Sequence, residues 1–300
     1  MTRTLLSVTF FLLMFAFSCN HLTNKKDTFE PVFSTYKSTT PDTNILAAKN
    51  EIFYGVLTPI EICSMFNRLG ISYDNSIINP TSNSDLYLSS SKASINTGIY
   101  GVDFGYIKMF GIGQEMVNHM VTIRDMSNKL GIPDHFLTEP IKRIQSDISE
   151  PDTIMNLMNI AFTDMENHLR TGGRESTAGL MVLGGWVESM YITTQLLYNA
   201  QNPDPEVIQK IAEQKYTLTS LLCFMKNYYD DPVVVYYTKK LKFLKNYFDT
   251  FDIYFKKGDL EIDRSKKVFR SSGSEMTVTI ETLNQIRDYV SKLRAEMVKP

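Results

Sequence analysis

Apolar residues recur at intervals of three and four along most of this chain. Met109, Ile112, Met116, Met120, Ile123 and Leu130 form one such series, and Met155, Met158, Phe162, Met165 and Leu169 another. A third runs through Leu241, Leu244, Phe248 and Phe251. That spacing lines one face of an α-helix. Start and stop signals agree with it. Thr58-Pro59-Ile60-Glu61 combines an N-cap, a first-turn proline and a capping-box glutamate, and the helix is expected to stop at Leu69-Gly70-Ile71. A long segment from about Asp85 to Leu130 ends at Gly131-Ile132-Pro133, and the glycines near 98–105 predict a break or kink that divides it. Further starts are legible at Thr138-Glu139-Pro140, Pro151-Asp152, Asp204-Pro205-Glu206 and Asp231-Pro232, with another long helix over 175–200. Lys266–Arg270 and Glu275–Thr279, joined by Ser271-Ser272-Gly273-Ser274, predict a small β-hairpin before a last helix. No glycine-rich phosphate loop after a strand, nucleophile elbow or βαβ rhythm occurs. The pattern predicts an all-α, multi-helix bundle of about eight or nine helices, filling residues 42–300 as one domain.

The first residues break the helical pattern and read as an address. Arg3 supplies a positive charge, and Leu5–Phe17 is a thirteen-residue apolar run, too short to span a bilayer and suited to an export signal. It leads into Ala16-Phe17-Ser18-Cys19, where a small residue before cysteine resembles the lipobox of bacterial lipoproteins. Residues 1–18 are therefore expected to be a lipoprotein signal peptide. Residues 19–41 are expected to hold a lipidated Cys19 and a polar, flexible tether. Acyl chains on Cys19 would give stable membrane attachment. No later run reaches eighteen consecutive apolar residues.

Composition narrows the remaining options. The 300 residues are 43% apolar with a formal charge of −2, which fits a large core and excludes a strongly basic nucleic-acid binder. Removal of residues 1–18 would shift the charge to −3 through loss of Arg3. Four His and three Cys leave no dense zinc site. With Cys19 acylated, Cys63 and Cys223 remain, each on an apolar helical stripe; two buried reduced thiols are favoured over a disulfide.

Two stretches stand out. Gly98-Ile99-Tyr100-Gly101-Val102-Asp103-Phe104-Gly105-Tyr106 and Leu183-Gly184-Gly185-Trp186-Val187-Glu188-Ser189-Met190-Tyr191 place five glycines in helical context, at about 1 kcal/mol each relative to alanine. Close helix approach is the simplest compensation. Gly98, Gly101 and Gly105 on one helix, and Ala178, Gly185 and Ser189 on the other, are predicted to line a crossing of short axial separation. Both stretches carry an acid three residues before a tyrosine, Asp103 with Tyr106 and Glu188 with Tyr191, and Trp186 is the chain's one tryptophan. Three readings are open: carboxylate–phenol pairs satisfied within a core, a polar aromatic cleft for a small ligand, or a general acid–base carboxylate pair. Asp103, Tyr106, Trp186, Glu188 and Tyr191 are the candidate ligand-binding residues, and no catalytic residue is assigned. Glu115 with His119 and Asp164 with His168 sit four apart and read as solvated ion pairs at stripe borders, so no metal and no cofactor is expected.

The lipobox-like start, Thr58-Pro59-Ile60-Glu61 with Leu69-Gly70, Gly98-Ile99-Tyr100-Gly101-Val102-Asp103 and Gly184-Gly185-Trp186-Val187-Glu188 together resemble a group of uncharacterised helical lipoproteins from Bacteroidota-type bacteria. The resemblance runs over most of residues 44–300. It implies a lipid-anchored, all-helical protein of the cell envelope and carries over no catalytic residue. The residues after Cys19 lack the acidic run that resembles a surface-export signal in such bacteria, which points to the periplasmic side of the outer membrane. The expected role is non-enzymatic binding of an envelope protein or small ligand. The alternative is an envelope hydrolase using Asp103 and Glu188.

Overall fold

A computed structural model describes residues 65–138, 142, 151–255, 260–263, 268–271 and 274–300, all within one compact unit, Thr40–Pro300. The expected signal peptide, Cys19, the tether, the Thr58 helix start and Cys63 lie outside the described residues. The fold is all-α. Seven long helices are described: α1 Ser90–Met109, α2 Gly113–Lys129, α3 Pro151–Thr171, α4 Glu175–Ile192, α5 Pro205–Met225, α6 Pro232–Phe248 and α7 Ile280–Val298. A π-helical turn, Thr193–Leu197, extends α4, so the helix expected over 175–200 loosens near its end.

Local signals set the helix boundaries. Asp204 accepts hydrogen bonds from the backbone N–H groups of Glu206 and Val207 ahead of α5, and Asp231 accepts one from Val233 ahead of α6. Ser89 and Thr279 cap α1 and α7 in the same way. The predicted break between α1 and α2 is present but displaced. Gly98, Gly101 and Gly105 run through α1 without interrupting it, and the chain turns at Gly111 instead. There φ is +66°, Gly111 N–H donates to Lys108 O and Ile112 N–H donates to Ile107 O, the doubly bonded helix end that a residue without Cβ makes cheaply.

The position of α4 follows from its composition. It is apolar around most of its circumference, and such a helix must be enclosed. It packs against α1, α3, α5, α6 and α7. Leu183, Val187 and Met190 join Ile99, Leu218, Leu241 and Ile286 in the larger core cluster, while Tyr100, Phe104, Met126, Met165 and Leu169 form a second beside α1, α2 and α3.

The contact of α1 with α4 is as close as the glycines predict. A Cβ at Gly98 would lie 2.0 Å from Met181 O, and one at Gly184 would lie 2.0 Å from Ile95 O. Gly185 also faces this seam, with its notional Cβ 3.6 Å from Gly98 O. Gly101 serves another neighbour: its notional Cβ meets the Phe162 ring of α3 at 2.3 Å. Ser94 donates to Thr177 O while Gly98 meets Met181 and Gly185, so α1 and α4 run in the same direction.

Two sequence expectations are corrected. The predicted hairpin between 266–270 and 275–279 does not form. Val268–Ser271 pairs antiparallel with Leu260–Asp263, and Ser274–Met276 pairs with Ile253–Phe255. Each short strand thus finds an upstream partner rather than its neighbour across Ser272-Gly273. Cys223, expected to be buried on its stripe, is an exposed free thiol. The stripe of α5 turns Leu218, Leu221 and Phe224 inward, one position away from the cysteine.

Candidate functional site

The parallel seam of α1 and α4 sets Asp103 and Glu188 side by side, five residues beyond Gly98 and three beyond Gly185. Both side chains are completely buried, and the Glu188 charge acts on the Asp103 carboxyl. Such a pair needs a cation. It comes from Arg294 on α7, itself only 8% exposed. Arg294 donates from Nε to Glu188 Oε2 and from Nη2 to Glu188 Oε1, both at 3.0 Å, a bidentate geometry. Nη2 also donates to Ile77 O at 3.1 Å, and the guanidinium lies 4.7 Å from the centre of the Tyr191 ring.

Asp103 has a different surrounding. Its Oδ2 accepts the backbone N–H of Asn79 at 3.0 Å, and its Oδ1 accepts no hydrogen bond among the described residues. Burial, reinforced by the adjacent Glu188 charge, holds the Asp103 carboxyl well above the usual carboxylate range, with Arg294 acting against the shift. Burial also raises Glu188, but Arg294 opposes this with both its charge and its hydrogen bonds. Arg294 therefore holds Glu188 in its charged form more strongly than Asp103, whose carboxyl is pushed further toward its neutral form by burial.

Asn79 ties this group to the surrounding elements. Its Nδ2 donates to Tyr87 Oη and Asn96 Oδ1, each at 3.1 Å, and its Oδ1 accepts from Asn83 Nδ2 at 2.9 Å. Tyr87 donates to Val298 O at 2.7 Å, and Asn96 and Lys92 donate to carbonyls of the last turn of α7. Those contacts satisfy the open carbonyls at the end of the helix that carries Arg294, and so fix its position. His119 is also buried here, against the Tyr100 ring, with Nδ1 at 3.0 Å from Glu115 O. Burial lowers its pKa, and although Nδ1 lies 3.9 Å from Glu115 Oε2, the imidazole is enclosed, so the expectation of a solvated Glu115–His119 pair is corrected.

Of the five candidate residues, Asp103, Glu188 and Tyr191 come together. Tyr106 does not pair with Asp103: its hydroxyl accepts the Asp74 backbone N–H at 2.9 Å, and its ring stacks on Tyr73. Trp186 points away toward α5, where Nε1 donates to Thr217 Oγ1 at 3.1 Å. Neither carboxylate is paired with the phenol three residues on. Arg294 and Asn79 complete the group and were not among the candidates. Arg294 sits beside the unbroken stripe Leu283, Ile286, Val290, Leu293 and Met297, one position after Leu293, so the sequence gives only a weak signal of its burial. Asn79 lies outside any periodic element and gives no such signal.

The chemistry available to this arrangement is limited by its burial. Both Glu188 oxygens are engaged by Arg294, and neither carboxyl meets solvent. Among the described residues, no three His, Cys, Asp or Glu side chains gather as a metal site. No known protein family, curated protein or solved structure matches this chain.

Proposed function

We propose that this protein is a lipid-anchored helical protein of the cell envelope, held at the periplasmic side of the outer membrane through acylated Cys19, with a non-enzymatic binding role toward an envelope protein or small ligand. The observation that carries the anchor is the apolar run Leu5–Phe17 leading into Ala16-Phe17-Ser18-Cys19. Among the described residues no helix is long and apolar enough to cross a membrane.

The buried ion pair supports a non-enzymatic role over the hydrolase alternative. A carboxylate pair that hydrolyses a substrate has to reach that substrate and a water molecule. Asp103 and Glu188 are enclosed, and the charge of Glu188 is spent on Arg294. The group is best understood as an interior clamp joining α1, α4 and α7.

Labelling cells with a palmitate analogue tests the anchor. Wild-type protein is expected to take up the label and Cys19→Ala to take up none. Equal labelling of the two, or no labelling of the wild type, rejects the reading.

A further inference from the structure

The outward face of α6 differs from its surroundings. Tyr236, Lys239, Lys242 and Phe243 share that side of the helix. Tyr236 is 48% and Phe243 51% exposed. The Phe243 ring stacks at 5.2 Å on Tyr289 of α7, which makes an aromatic ridge across the two helices, and exposed Lys292 follows one turn beyond Tyr289. Between Pro232 and Phe248 the sequence holds four lysines and no acid, in a chain whose formal charge is −2. Three nearby acids already have a cation beside them: Lys240 binds Glu296 at 2.8 Å, Lys245 binds Asp249, and Arg287 binds the exposed Asp288 at 3.1 Å. Lys239, Lys242 and Lys292 are exposed and have no carboxylate partner among the described residues.

We propose that this face of α6 and α7 rests on an anionic lipid surface. Two features favour lipid over a protein partner. Tyrosine and phenylalanine rings bordered by lysines suit the headgroup layer, where rings reach the acyl boundary and the ammonium groups meet phosphates. The buried centre of a protein interface, in contrast, is depleted of lysine. Each lysine near an anionic leaflet strengthens attraction about fivefold. Three lysines and two half-exposed rings make a weak contact for a free protein, but a chain already held at the membrane needs only to be oriented. The inference rests on the anchor reading for the nearness of a bilayer and on nothing else in it.

Lysine footprinting tests the proposal. The full chain is reconstituted into vesicles of phosphatidylcholine alone or mixed with phosphatidylglycerol, and pulsed with an amine-acetylating reagent. The face should make Lys239 and Lys242 about fivefold or more slower to label in the anionic vesicles. Lys129 on α2 should label equally in both. The protection should vanish at high salt and weaken in Phe243→Ser, with the thermal midpoint of that variant measured alongside so that loss of the ring is told apart from loss of the fold. Equal labelling of Lys239 and Lys242 in both vesicle types overturns the proposal. So does protection that persists in detergent and grows with protein concentration, which would assign the face to a second copy of the chain. The anchor is read separately, from the intact mass of the same sample. An unmodified Cys19 with protected lysines would reject the anchor and keep this proposal, and an acylated Cys19 with unprotected lysines would do the reverse.

Discussion

Arg294 is the residue on which the interior charge balance depends. Its replacement by methionine would leave Glu188 ionised and buried with no counter-charge, and breaking a buried pair on one side costs about 3–5 kcal/mol. Chemical denaturation of Arg294→Met should show a loss of that size. Adding Glu188→Gln should recover part of it, because the orphaned charge is then gone; a double variant as unstable as the sum of the two singles would contradict the pairing. Asp103 behaves oppositely. Its folded-state pKa is raised, chiefly by burial, so the folded state holds a proton that the unfolded chain releases near the ordinary carboxylate value of about 4. Stability from this group is complete below that value and is lost as pH climbs toward the raised folded pKa. Asp103→Asn keeps an acceptor for the Asn79 N–H and carries no titrating proton. Its melting temperature relative to wild type should therefore be more favourable at pH 7 than at pH 4. An equal difference at both would contradict a raised Asp103 pKa. At this scale the sequence was legible in part. Asp103 and Glu188 were visible as acids in glycine-rich helices, whereas their counter-ion lies 106 residues beyond Glu188 and is brought in only by the docking of α7.

Among the elements, the seam between α1 and α4 makes the sharpest demand on sequence. Alanine is ordinarily favoured over glycine inside a helix by about 1 kcal/mol. At Gly98 and Gly184 the added methyl would meet backbone carbonyl oxygens at 2.0 Å, and backbone cannot rotate away as a side chain can. Gly98→Ala and Gly184→Ala should each destabilise the protein by about 1–3 kcal/mol, the usual range for overpacking. Gly185→Ala, with 3.6 Å of room, should be neutral or stabilising. Thermal melts of the three variants check the ranking, and a destabilising Gly185→Ala would contradict it. Helix starts were well marked because caps are local: Asp204-Pro205 and Asp231-Pro232 mark α5 and α6 without reference to the rest of the chain. The division of α1 from α2 was placed wrongly because glycines near 98–105 can signal either a kink or a close neighbour, and only the packed partner decides. The strands near the C-terminus were read from adjacent residues, while their pairing is set by segments further upstream.

For the whole molecule, the apolar content that the sequence offered as core material is organised around one enclosed helix, α4, with a neutralised ion group at its side. The buried acids and Arg294 join α1, α4 and α7 inside the fold. The net charge of −2 conceals the lysines of α6, because composition sums over faces that the fold separates. Lipid on Cys19 is the attachment proposed to hold this domain at a membrane. Intact-mass spectrometry of the protein extracted from cell membranes reads that attachment at the residue itself. The expected species is a chain beginning at Cys19 with the added mass of acyl groups on that residue. A chain that retains residues 1–18, or one that begins near Cys19 without acyl mass, would contradict it.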